Sequence, residues 1–111
     1  MDVQCLKIKV RPGKTGQVVQ WMTGLKQRRN EVYTSLRNET MAVESVFLDR
    51  QSDGDYLFFY TRAESLQTAN QMMLNYPTDL DREALVLIQE TWADGAPLEV
   101  LFDVDRIATL A

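Results

Sequence analysis

The tightest constraint on this chain is the order in which its hydrophobic periodicity changes. Residues 3 to 10 alternate, with Leu6, Ile8 and Val10 on one side and Cys5, Lys7 and Lys9 on the other, as in a strand with one face on a core. Arg11-Pro12-Gly13 breaks that pattern. Val18, Trp21, Met22, Leu25, Val32 and Leu36 then recur at three- and four-residue spacing, which predicts one long amphipathic helix. Two more runs, 41–50 and 55–62, fit strands and flank Ser52-Asp53-Gly54, and an Asp-Gly pair in that setting predicts a tight hairpin with a positive φ at the glycine. Ser65 caps a shorter helix with Leu66, Ala69 and Met73 as its stripe, ended by Asn75 and Pro77. Thr78 caps the next, with Asp79 and Asp81 in its first turn and Leu80, Ala84, Leu87, Ile88 and Thr91 as its apolar face, stopped by Gly95 and Pro97. Leu98, Val100, Phe102 and Val104 alternate as a last strand.

That order is α+β: a ferredoxin-like βαββαβ arrangement with an extra helix before the last strand and a four-stranded antiparallel sheet. Its first and third strands lie at the centre, where we expect them to run parallel to each other. Residues 1–111 fit one domain, large enough to bury about two thirds of its unfolded surface.

Charge and cysteine use narrow the function classes. With 16 acidic and 12 basic residues the chain repels phosphate backbones, which disfavours nucleic acid as a partner. Histidine is absent, so the usual general base near neutral pH and the commonest metal and haem ligand are missing. No metal and no cofactor are implied, and chemistry would fall to carboxylates, Lys, Tyr, Arg or the thiol. The apolar runs are too short to span a membrane, and Asp2 and Gln4 spoil a signal-peptide reading. A lone cysteine, Cys5, suits a reducing compartment, so we expect a cytoplasmic protein.

Several motifs imitate sites. Gly13-Lys14-Thr15 resembles the end of a phosphate loop, but Ile8 stands where that loop needs its first glycine, leaving a plain strand-to-helix connection. Asp49, Asp53 and Gly54 imitate a calcium loop, but Gln51 and Tyr60 occupy ligand positions and the flanks read as strands. Tyr56, Phe58 and Tyr60 share one strand face as stacking aromatics do in RNA-binding sheets, without the basic setting such sheets need.

The segment from Lys9 to Lys14 leading into Trp21-Met22, then Asp55 to Tyr60, then Glu90-Thr91-Trp92, resembles an uncharacterised family of about this length, and the whole chain is similar to the dimeric α/β-barrel proteins that include antibiotic-biosynthesis-monooxygenase-like domains. The resemblance implies a ferredoxin-like homodimer and no assigned activity. Haem degradation, found in that wider group, relies on a histidine that this chain lacks.

Two candidate regions follow. A pocket between the long helix and the sheet would take a small, partly apolar or aromatic ligand, with Trp21 and Trp92 as walls, Arg29 orienting an anionic group and Tyr60 or Glu90 moving a proton. Each has a plainer reading: Arg29 as a stem at the stripe's edge, the tryptophans as core, Glu90 as a solvated helix charge. Cys5 reads as a small buried hydrophobe. On the opposite sheet face Tyr56, Phe58 and Tyr60 lack a cover, which predicts pairing with a second copy through an aromatic centre rimmed by Lys7, Lys9, Glu99 and Asp103. A homodimer that binds a small ligand without catalysis is the leading expectation; a cofactor-free monooxygenase- or isomerase-like enzyme, or a protein-interaction module, is the alternative.

Overall fold

A computed structural model describes residues 1–107. Its elements run β1 (Asp2–Val10), α1 (Thr15–Gly24), a 3-10 turn (Leu25–Gln27), α2 (Arg29–Asn38), β2 (Met41–Gln51), β3 (Gly54–Ala63), α3 (Leu66–Asn75), α4 (Asp79–Thr91) and β4 (Trp92–Pro97). The strands form one sheet in the order β2-β3-β1-β4, and every neighbouring pair is antiparallel. The expected parallel pairing of the first and third strands is therefore wrong. The helical crossover brings β2 back in the direction of β1, and the hairpin then turns β3 against both.

The long helix expected from Val18 to Leu36 is two helices. Arg28, at φ −119° and ψ 32°, leaves helical geometry between the 3-10 turn and α2. Gly24, a poor helix former, closes α1 just before that break. The two later helices start where expected. The Ser65 hydroxyl accepts from the Thr68 N–H at 3.1 Å, and Thr78 and Asp81 exchange bonds of 3.1 and 3.0 Å in a capping box.

The last strand also lies elsewhere than expected. β4 takes Trp92–Pro97, the segment read as a helix stop, and pairs Asp94 with Lys9 and Ala96 with Lys7. Gly and Pro are tolerated because β4 is an edge strand. Glycine suits position 95, since a Cβ there would sit a tight 3.3 Å from Ile8 Cγ1. Residues 98–104, expected to be the strand, follow it without strand pairing, although the Leu98 N–H still reaches the Cys5 carbonyl at 2.8 Å. Glu99 and Asp103 therefore do not face Lys7 and Lys9 across a ladder. Asp103 instead pairs with Arg62, which also holds Asp105 at 3.2 Å.

Strand register sorts the sheet into two faces. Toward the helices point Ile8 and Leu57, Leu6 with Phe59 and Val46, and then Gln4 with Thr61 and Glu44. Away from them point Lys7, Phe58 and Phe47 in one row, with Lys9, Tyr56 and Asp49 on one side of it and Cys5, Tyr60 and Ser45 on the other. Ile8, Val10, Val18 and Leu57 form the sealed core.

Gln51 pairs with Gly54 across the hairpin, and Gly54 has φ +139°. Asp53 does not share the positive φ, so Gly54 alone carries the turn's unusual backbone. A Cβ there would also meet Lys9 Cε at 3.4 Å. Gly54→Val is expected to lower stability by about 1–3 kcal/mol, read as a drop in melting temperature; an unchanged melting temperature would contradict this placement of the turn.

Candidate functional site

Only part of the space between helices and sheet is filled. A cavity of about 290 Å³ lies there, walled by residues of α1, the 3-10 turn, α2, α3 and α4 and floored by β1, β2 and β3. Its size sits at the small end of the roughly 300–1,000 Å³ common for ligand sites. Most of the wall is apolar: Leu6, Trp21, Met22, Leu25, Leu36, Phe59, Met73, Leu87, Ile88 and Trp92 all reach it. Trp92 meets Phe59 edge to face with centroids 6.1 Å apart, which sets the angle of both rings.

One end is different. The row Gln4, Thr61 and Glu44 runs across three strands on the helix-facing side, where the next two rows toward the hairpin are leucine, isoleucine, valine and phenylalanine. Above it stand Ser35 and Glu39 from the end of α2, Asn70 from α3 and Asp81 from α4. Local structure explains their placement. Ser35 Oγ lies 2.6 Å from Thr78 Oγ1, tying α2 to the cap of α4, and the capping box fixes Asp81 on its first turn. Glu39 is the C-cap of α2, followed by Thr40 at φ +56°, a strained backbone for a β-branched residue.

The electrostatics of this end are unusual. Glu39 is only 4% exposed, and burial, followed by its hydrogen bond to Asp81 and the negative charges of Asp81 and Glu44, pushes its carboxyl up to about 8. Its place at a helix C-terminus also disfavours a negative charge. Glu44 lines the cavity but is exposed, and desolvation by the surrounding protein, then Asp81, raises its carboxyl as well. Among the described residues no lysine or arginine lines the cavity. Glu39 Oε1, Thr61 Oγ1 and Trp92 Nε1 are buried without a hydrogen-bond partner among the described residues. The same residues contain no group of three His, Cys, Asp or Glu placed to hold a metal ion.

Trp21 and Trp92 thus stand in the cavity wall. Arg29, Tyr60 and Glu90 stand outside it. Arg29 is exposed at the start of α2, and the cation beside Trp21 is Arg28, 5.8 Å from the ring centroid and paired with Glu31 and Glu83 at 2.6 and 2.5 Å. Tyr60 is on the far sheet face, where its hydroxyl accepts from Arg62 Nε at 2.7 Å. Glu90 is exposed and accepts from Gln17 Nε2 at 2.6 Å. Apolar alternation alone does not reveal the polar end, although Gln4, Glu44 and Thr61 each fall two residues from a core position of their strand.

A model of the family of unknown function DUF6176 matches residues 1–109. The chain belongs to that family. No curated protein matches the sequence. Among solved structures, the L-rhamnose mutarotase of Formosa agariphila is 14% identical, covering 95% of this chain and 100% of its own with a TM-score of 0.63. A provisionally described antibiotic biosynthesis monooxygenase of Nitrosomonas europaea is 13% identical, covering 92% of this chain and 100% of its own at 0.50. At such identities the likeness shows the fold, a ferredoxin-like α+β sheet with helices on one side. No helix among the described residues is long and apolar enough to cross a membrane.

Proposed function

We propose that this DUF6176 chain is a homodimeric ligand-binding domain whose cavity between helices and sheet holds a small, partly apolar molecule. The observation that carries this reading is the cavity itself, apolar along most of its wall yet holding unpartnered buried polar atoms at one end. Interiors are normally packed to crystal-like density and pair their buried polar groups, so space combined with unmet hydrogen bonding favours an occupant. The single cysteine and the lack of a spanning helix among the described residues support a cytoplasmic setting.

The test is a thermal-shift panel of small phenols, amines and carboxylates on the full chain. A ligand at 100 times its dissociation constant should stabilise by about 2.7 kcal/mol. Ala84→Phe, which narrows the cavity from α4, should abolish the shift, and a shift that survives it would place binding elsewhere.

A second reading rests on Glu39. A buried carboxyl raised to about 8 can hold and release a proton near neutral pH, as general acid–base catalysis on a bound substrate requires. In that version the proton-moving residue is Glu39 rather than Tyr60 or Glu90, and no cofactor is needed. The mutarotase neighbour makes L-rhamnose a reasonable first substrate to try.

A further inference from the structure

Resting on the ligand-pocket reading above, we infer that the occupant is a small amine: an apolar body lies along the tryptophan-lined wall, and its ammonium sits against Glu39 and Asp81 with Thr61 Oγ1 as a further acceptor. The charge around this spot is one-sided. Asp81 faces Glu39 from α4 and Glu44 faces it from β2, while β1, β3 and α3 contribute the uncharged Gln4, Thr61 and Asn70. An anion placed there would meet carboxyls on several sides and no cation. An ammonium supplies what is missing, a positive charge with three donors and no acceptor.

Two observations independent of the carboxyls point the same way. Thr61 is 5% exposed, projects from the helix-facing side of β3, and its Oγ1 lacks a partner among the described residues. The rest of the wall offers Trp21, Trp92 and Phe59, whose rings pack a hydrocarbon body. The two carboxyls also give binding a signature. Glu39 and Asp81 are both almost fully buried, burial keeps the Glu39 carboxyl protonated, and an ammonium placed against them takes over from that proton, which leaves as the amine arrives.

Benzylamine, benzyl alcohol and benzoate share a ring and differ only in the polar end. They are titrated into the full chain at pH 7 by tryptophan fluorescence, and by calorimetry in two buffers of different ionisation enthalpy to count protons. Benzylamine is expected to bind at least about tenfold more tightly than benzyl alcohol, with benzoate weakest, and to release a proton that benzyl alcohol does not. Glu39→Gln, close in shape to the protonated acid, should weaken benzylamine by about tenfold and remove the proton release while leaving benzyl alcohol within about threefold. Glu44→Gln should weaken benzylamine less. Benzyl alcohol or benzoate binding as tightly as benzylamine, or benzylamine unaffected by Glu39→Gln, would overturn the amine assignment and leave the pocket reading standing. Failure of all three probes to bind would overturn both.

Discussion

Glu39→Gln is expected to flatten the dependence of folding stability on pH between about 5 and 8. The carboxyl of Glu39 ordinarily titrates near 4.5 and is raised to about 8 in the folded protein. Between those values the folded chain holds a proton that the unfolded chain has lost, so stability falls as pH rises. Below the unfolded value both states are protonated and the penalty disappears; above about 8 both are ionised and it is fully present. At 1.36 kcal/mol per pH unit of displacement, the wild-type loss across the window should be on the order of a few kcal/mol. Glu44, also raised, contributes in the same direction. Asp53 and Glu31 are lowered and act only at more acid pH, outside the window. The amide that replaces the carboxyl in Glu39→Gln cannot ionise and can still donate to Asp81, so the variant should match wild type near pH 5 and exceed it near pH 8.5. Urea midpoints across the window make the measurement, and parallel curves for the two proteins would remove Glu39 from its assigned role.

Elements whose sequence and backbone agree locally are legible from the residues. The hairpin is readable because Asp53-Gly54 names both the turn and its unusual glycine, and α3 and α4 because Ser65 and Thr78 are caps whose bonds can be predicted from spacing. The break at Arg28 is not, because helical spacing reports which face is apolar and not whether the axis is continuous; Val32 and Leu36 reach the same cavity as Trp21 and Leu25 from a separate helix. The position of β4 is hidden for a tertiary reason. Trp92–Pro97 has poor strand propensity and is held by the edge of β1, where Gly95 permits contact with Ile8, whereas residues 98–104 alternate well and find no strand to pair with.

The candidate site is half legible. Trp21 and Trp92 stand out as large rings on apolar stripes, and both reach the cavity. The polar end depends on three strands lying in register and on Glu39 and Asp81 meeting from helices far apart in sequence, which no spacing along the chain displays. Glu90 draws notice because it neighbours Trp92 in sequence, but a short step along the chain separates an outward carboxyl from an inward ring.

The larger effect is expected at the sheet's other face, where Phe58→Asp should convert a dimer into monomers or aggregates. Phe58 sits mid-row between Phe47, which is 60% exposed, and Lys7. Tyr56 lies beside them under Lys7 Nζ at 4.8 Å from its ring centroid. Among the described residues the chain's own cover lies at the Tyr60 end, where residues 98–103 border Val3, Cys5 and Tyr60 and Arg62 anchors Asp103 and Asp105. That segment adds to the problem, since Leu101 is 87% and Phe102 84% exposed. Aromatic sheet and apolar arm together make a patch of the kind that marks interaction sites. In the proposed homodimer, a second copy related by a two-fold axis would supply both complements at once, arm to sheet and sheet to arm. Lys7 and Lys9 stand on this sheet face, and Glu99 and Asp103 lie on the arm, where they would contribute charge to such an interface. The interface should bury more than about 1,000 Å². An aspartate at its centre would be desolvated without a partner, which is strongly destabilising. Light scattering of the unmodified chain at micromolar concentration should give a dimer and Phe58→Asp a smaller or aggregated species; a monomeric wild type would end the proposal and leave the arm and sheet to a different protein.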